Sequence, residues 1–185
     1  MKTQTSFRSI LLLISAVTLA SITLPVGAQG RAALDADAHR AYNRLVANLP
    51  AAKALSKTAV AVLVFPKITK AGFMIGGQYG EGVLLQAGKA TGYYSTAGAS
   101  YGLQAGAQQF GYALFFMNER ALSALTQNSG FEVGVGPSVV VVDQGMAKST
   151  TSITMKDDVY AFVFGQKGLM AGVGLQGNKI TQLAN

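Results

Sequence analysis

Residues 65–85, FPKITKAGFMIGGQYGEGVLL, constrain this chain more than any other stretch, because five glycines (Gly72, Gly76, Gly77, Gly80 and Gly82) are set inside an apolar run. An extended chain alternates its side chains between two faces. On that count Gly72, Met74, Gly76, Gln78, Gly80 and Gly82 share one face, and Phe73, Ile75, Gly77, Tyr79, Glu81 and Val83 share the other. The first face is nearly bare backbone. Glycine weakens a strand unless the sheet bends sharply or something approaches the backbone closely. The stretch is either a tightly curved, glycine-kinked sheet or a flat seat for a covering helix or a lipid chain.

The neighbouring segments extend the strand pattern. Residues 59–65 are short, apolar and β-branched, and read as a buried strand stopped by Pro66. Residues 90–118 contain no charge, yet Gln104, Gln108, Gln109 and several Ser, Thr and Gly residues interrupt them, which argues against a spanning helix. They alternate instead: Gly98, Ser100, Gly102, Gln104 and Gly106 on one face, then Gln108, Phe110, Tyr112, Leu114 and Phe116. Asn118 is placed to cap a helix running from Glu119 to about Gln127. Beyond Asn128-Ser129-Gly130, strands are expected over 131–142, 150–155, 159–165, 169–176 and 179–183. Asp143-Gln144-Gly145, Lys156-Asp157-Asp158 and Gln166-Lys167-Gly168 separate them as turns.

Upstream of the glycines the character changes. Residues 33–49 repeat Leu34, Ala38, Ala41, Tyr42, Leu45 and Leu49 at spacings of three and four, an amphipathic helix with Asp35 and Asp37 expected in its first turn. Pro50 breaks the pattern and opens a shorter helix over 51–58. The fold class is therefore α+β. N-terminal helices pack on an antiparallel, glycine-rich meander of eight to ten strands with one inserted helix, closed as a barrel or stacked as a sandwich.

The first 28 residues read differently again. Lys2 and Arg8 precede an apolar run over 10–24, and Val26-Gly27-Ala28 offers small residues for cleavage. This is the pattern of a secretory signal peptide (1–28), too short and wrongly flanked for a spanning helix. The expectation is a single domain over 29–185, with a basic helical segment (31–58) and a β-rich core (59–185), in the periplasm or secreted. The chain has no cysteine, so it has neither a disulfide framework nor a lipid-anchoring thiol.

Charge is concentrated. Arg31, Arg40, Arg44, Lys53, Lys57, Lys67 and Lys70 are opposed only by Asp35 and Asp37, whereas from Ala71 onward the two signs balance. Such asymmetry points to an anionic partner or to ordinary solvated helix surface. Arg40, Arg44, Lys53, Lys57, Lys67 and Lys70 are the candidate lipid-contacting set.

Catalytic patterns are missing. His39 is the only histidine and reads as structural, on the flank of the first helix. No metal site or cofactor is expected. Gly82 to Thr91 has one residue too many for a phosphate loop and Ala90 where a hydroxyl belongs. Gly172 to Gly177 matches a dinucleotide fingerprint as a string, but the chain ends too soon to supply a helix. Asp157 and Asp158 are adjacent and read as solvated turn residues. Nucleic-acid binding is disfavoured because no aromatics interleave with the basic residues.

Three segments resemble the SYLF domain family. They are Lys70-Ala71-Gly72-Phe73 with the Gly76-Gly77-x-x-Gly80-x-Gly82 spacing and Val83-Leu84-Leu85, residues 96–106 (TAGASYGLQAG), and residues 167–173 (KGLMAGV). The resemblance implies a non-enzymatic, lipid-binding protein, since eukaryotic members bind phosphoinositide-rich membranes through a basic amphipathic N-terminal segment and some bind actin. An exported chain would meet anionic phospholipid of an envelope rather than actin. The alternative is a self-associating envelope protein without a lipid ligand. An outer-membrane barrel fits the basic helices poorly.

Overall fold

Two residues in left-handed backbone, Ala87 (φ 48°) and Gly88 (φ 76°), reverse the chain between its two longest strands. The computed structural model describes residues 26–127, 130–142, 156–167, 175 and 177–184. Strand β1 (Ala61–Gln86) and strand β2 (Lys89–Phe116) pair antiparallel from Gln86↔Lys89 back to Ala61↔Phe116. A two-residue loop with positive φ at both positions matches the twist of the strands it joins.

Strand β1 does not stop at Pro66. Phe65 pairs with Tyr112 and Ile68 with Phe110, so Pro66 and Lys67 together oppose the single residue Gly111. Proline lacks the ladder donor and is tolerated at such a bulge. A second register shift falls between Gly72 and Met74.

Beyond that shift β1 returns over itself. A Cβ on Gly80 would lie 2.7 Å from the Lys67 carbonyl oxygen and 2.6 Å from Ile68 Cγ1. On Gly82 it would lie 2.7 Å from the Val64 oxygen and 2.6 Å from Phe65 Cδ1. At Gly80 and Gly82 the bare face is thus occupied, and its occupant is the first half of the same strand. There this corrects the expectation of a seat for a helix or lipid chain and bears out the curved sheet.

Among the described residues four shorter strands join the sheet: β3 (Phe131–Glu132), β4 (Val139–Val142), β5 (Val159–Lys167) and β6 (Lys179–Gln182). Their order is β3-β6-β2-β5-β4, with β1 also on β2. Among the described residues these strands form one curled sheet, a half-barrel. The sheet is a single one, and it is not wholly an antiparallel meander: β4 runs parallel to β5. The single strand expected over 131–142 is two, separated around Gly134 (φ 97°) and Gly136 (φ 94°). Strand 150–155, most of strand 169–176, the turn at Asp143 and the segment 168–174 lie outside the described residues, as do residues 1–25, where the signal peptide is expected.

Helix α1 (Val26–Asn48) begins seven residues before its expected start and runs through the expected cleavage position. Asp35 and Asp37 consequently sit mid-helix, and its first turn carries no acid. Helix α2 (Pro50–Leu55) is shorter than expected and ends before Lys57. Helix α3 (Glu119–Thr126) follows β2, with Asn118 Oδ1 accepting from the Ala121 N–H at 2.9 Å.

The sheet separates two cores. Its concave side encloses Leu63, Phe65, Tyr94, Tyr112, Leu114 and Phe116 beneath α3, with the Phe65 and Tyr112 rings 4.8 Å apart. Its convex side packs Val62, Val64, Val83, Leu85, Phe115 and Phe162 against α1 and α2. The apolar stripe of α1 is therefore docked, with Ala38 and Leu45 buried and Tyr42 against Phe115 at 6.3 Å. It covers the valine and leucine face, not the glycine face.

Candidate functional site

Where α1 crosses the convex face, the Pro66–Lys67 bulge and the Phe164 ring leave a groove. Gly111 lies between them in the ladder, paired with Phe164. A Cβ at Gly111 would overlap the Phe164 ring and come within 2.8 Å of the Phe65 carbonyl oxygen. The missing side chain lets Phe164 lie across β2. The resulting groove has a volume of about 600 Å³, with Leu45 and Leu49 of α1, Pro66 of β1 and Val163 and Phe164 of β5 among its apolar walls.

Three of the six candidate cations meet there. Arg40 and Arg44 reach it from α1 and Lys67 from the bulge, and all three are exposed. Asp37 also lines it and pairs with Arg40. The other three stand apart. Lys53 is exposed on α2, Lys57 is exposed beyond it, and Lys70 is half-buried in β1 opposite Gln108. Of the glycine motif, Gly80 and Gly82 serve the strand crossing, and Gly72, Gly76 and Gly77 pair in the ladder with Gly106, Ser100 and Ala99. None of the five lines the groove.

The N-terminal part of α1 is fastened to the hairpin tip by residues whose pairing the sequence did not show. The Tyr93 hydroxyl donates to Asp35 Oδ2 at 3.1 Å. The Arg31 guanidinium lies 5.0 Å from the Tyr93 ring centre and donates to the Ala184 carbonyl oxygen at 2.5 Å. His39 bridges two backbone carbonyls: Nδ1 lies 2.8 Å from the Asp35 carbonyl oxygen and Nε2 3.1 Å from that of Gly88. Both nitrogens can donate only in the imidazolium form. The Gly88 and Asp35 carbonyls accordingly raise the His39 pKa against the opposing effect of burial.

Asp158 is not an idle turn residue. It accepts from Asn118 Nδ2 at 2.9 Å, Arg120 Nη2 at 2.8 Å and the Ser138 N–H at 3.2 Å. Those donors, Asn118 first and Arg120 next, pull its pKa down to about 2. It ties the start of α3 to the β4–β5 pair, a structural task.

Among the described residues no group of His, Cys, Asp and Glu is arranged to hold a metal ion. No described helix is long and apolar enough to cross a membrane. A comparison with family models matches residues 97–185 to Ysc84, described as "Las17-binding protein actin regulator". The match takes in most of β2 and all that follows, and leaves the basic helices outside it. No curated protein matches the chain.

Proposed function

Because residues 97–185 place the chain in the Ysc84 (SYLF) family, we propose that it is a non-enzymatic, peripheral lipid-binding protein of the cell envelope. In this reading residues 1–28 are a signal peptide and the remainder is one domain that adsorbs to anionic phospholipid. The observation that carries it is the division of labour on α1: Ala38 and Leu45 are buried against the sheet while Arg40 and Arg44 stay exposed. A docked apolar stripe has nothing to insert into a bilayer, so the attraction is electrostatic. Each cation near an anionic leaflet contributes about 1 kcal/mol, and Arg40, Arg44, Lys53, Lys57 and Lys67 are all exposed. The actin regulation in the family's description is not carried over, since an exported chain would not meet actin.

Co-sedimentation of residues 29–185 with anionic and with neutral vesicles over a salt series tests the reading. Binding to anionic vesicles alone, weakened by salt and lost when Arg40, Arg44, Lys53 and Lys57 are changed to Glu, is expected. Salt-independent binding, or none, refutes it. Oligomers formed without lipid would then favour a self-associating envelope protein.

A further inference from the structure

We propose that the groove beneath α1 receives one acyl chain of an anionic lipid, with the headgroup held by Arg40, Arg44 and Lys67. The inference rests on the lipid reading above and deepens it from adsorption on a surface to a seat for one molecule.

Several observations converge on this place. The volume of about 600 Å³ falls in the range of about 300–1,000 Å³ that small-molecule sites occupy. The walls supplied by Leu45, Leu49, Pro66, Val163 and Phe164 are apolar, and three cations rim them against one acid, Asp37. That combination selects for an amphiphile. A soluble polyanion would meet the rim but offer nothing to the walls. A neutral lipid would fill the walls and leave the rim unanswered.

The backbone is shaped to keep the space open. The bulge opposite Gly111 sets Pro66 and Lys67 outside the regular ladder. The absent side chain of Gly111 lets Phe164 lie down as a wall. At the end of the β5 wall, Gly165 has positive φ (65°) and, among the described residues, no atom within 4 Å of where its Cβ would be. The cations come from two elements, α1 and β1, so the rim exists only where the two meet.

The test uses residues 29–185 and n-alkyl phosphates from butyl to dodecyl, each below its micelle concentration, with dissociation constants from calorimetry. Burial in the groove predicts about fourfold tighter binding per added methylene until the walls are filled. Ala41→Trp, which projects into the groove, should flatten that series, and Lys67→Glu, at an exposed position, should weaken every member of it. Thermal melts check that both variants fold, and the series on the unaltered chain stands without them. Vesicle co-sedimentation runs in parallel. A steep series with vesicle binding supports both proposals. A flat series with vesicle binding overturns the groove and leaves surface adsorption standing. A steep series without vesicle binding supports the groove as a site for soluble amphiphiles and overturns adsorption. A flat series without vesicle binding overturns both.

Discussion

Replacing Gly82 with alanine adds one methyl group at the point where β1 crosses itself. The new carbon would stand 2.7 Å from the Val64 carbonyl oxygen and 2.6 Å from Phe65 Cδ1. The ring can turn aside, but the carbonyl belongs to a strand held on β2. Overpacking of this kind costs about 1–3 kcal/mol, offset by the roughly 0.5–1 kcal/mol that glycine's extra backbone freedom takes from a strand. The net expectation for Gly82→Ala is a loss of about 1–2 kcal/mol. Gly77→Ala is the control in the same strand, because among the described residues the only atom within 4 Å of its Cβ is the Gly98 oxygen at 3.9 Å. There the backbone gain stands unopposed, and stability should hold or rise by about 0.5–1 kcal/mol. The two variants should therefore differ by about 2 kcal/mol, or roughly 4–8 °C in Tm for a domain of this size. Urea denaturation followed by circular dichroism reads this directly. If Gly82→Ala were as stable as the parent, or if both substitutions shifted stability alike, the face-to-face crossing would be wrong.

His39 is the only histidine, so its ring protons can be titrated by NMR without assignment. The pKa should lie above the ordinary value of about 6.5, because the Gly88 and Asp35 carbonyls favour the charged ring. A raised folded-state value stabilises fully below about pH 6.5 and is lost as pH rises through it. The stability gap between the parent and His39→Gln should thus be widest in mild acid and close in alkali, and a pKa at or below 6.5 would sink the bridging role. Asp158 behaves in the opposite sense. With its pKa held at about 2, it stabilises above about pH 4 and the contribution fades as pH falls toward 2. Urea titrations should show that slope in the parent and a flatter one in Asp158→Asn, and equal slopes would mean the carboxylate is not what joins α3 to the β4–β5 pair.

Periodicity made the α1 stripe, the Phe110–Phe116 strand and the Asn118 cap legible, since each depends on neighbours in sequence. The occupant of the glycine face was not legible, because nothing local says that Val64–Ile68 returns across Gly80 and Gly82. Pro66 misled for a related reason: it forbids one ladder bond, and a two-residue bulge opposite Gly111 removes the need for it. The turn at Ala87-Gly88 lacks the usual Asn-Gly or Asp-Gly signal, and alanine at φ 48° is held there by the strands on either side. Charge counting singled out Arg40, Arg44 and Lys67 along with Lys53, Lys57 and Lys70, and could not separate the two groups. Only the first three share a groove, because Lys67 is raised by the bulge and meets α1 from another element. A proline inside a β-branched run, followed by lysine, was the available sign of that bulge.

The tight loop at Ala87-Gly88 also bears on the order of assembly. Closing it brings Gln86 to Lys89, and each further pair then forms beside one already made, out to Ala61↔Phe116. Contacts that are remote along the chain are reached by zipping, on the microsecond scale of a hairpin, rather than by a search between distant ends. Left-handed alanine costs about 1 kcal/mol at the step where the hairpin starts. Asparagine or glycine at position 87 should therefore hasten folding and leave unfolding nearly unchanged. The groove belongs to the other end of the process. It needs α1, the bulge and β5 together, so a chain halted after zipping would own most of its sheet and no place for a ligand.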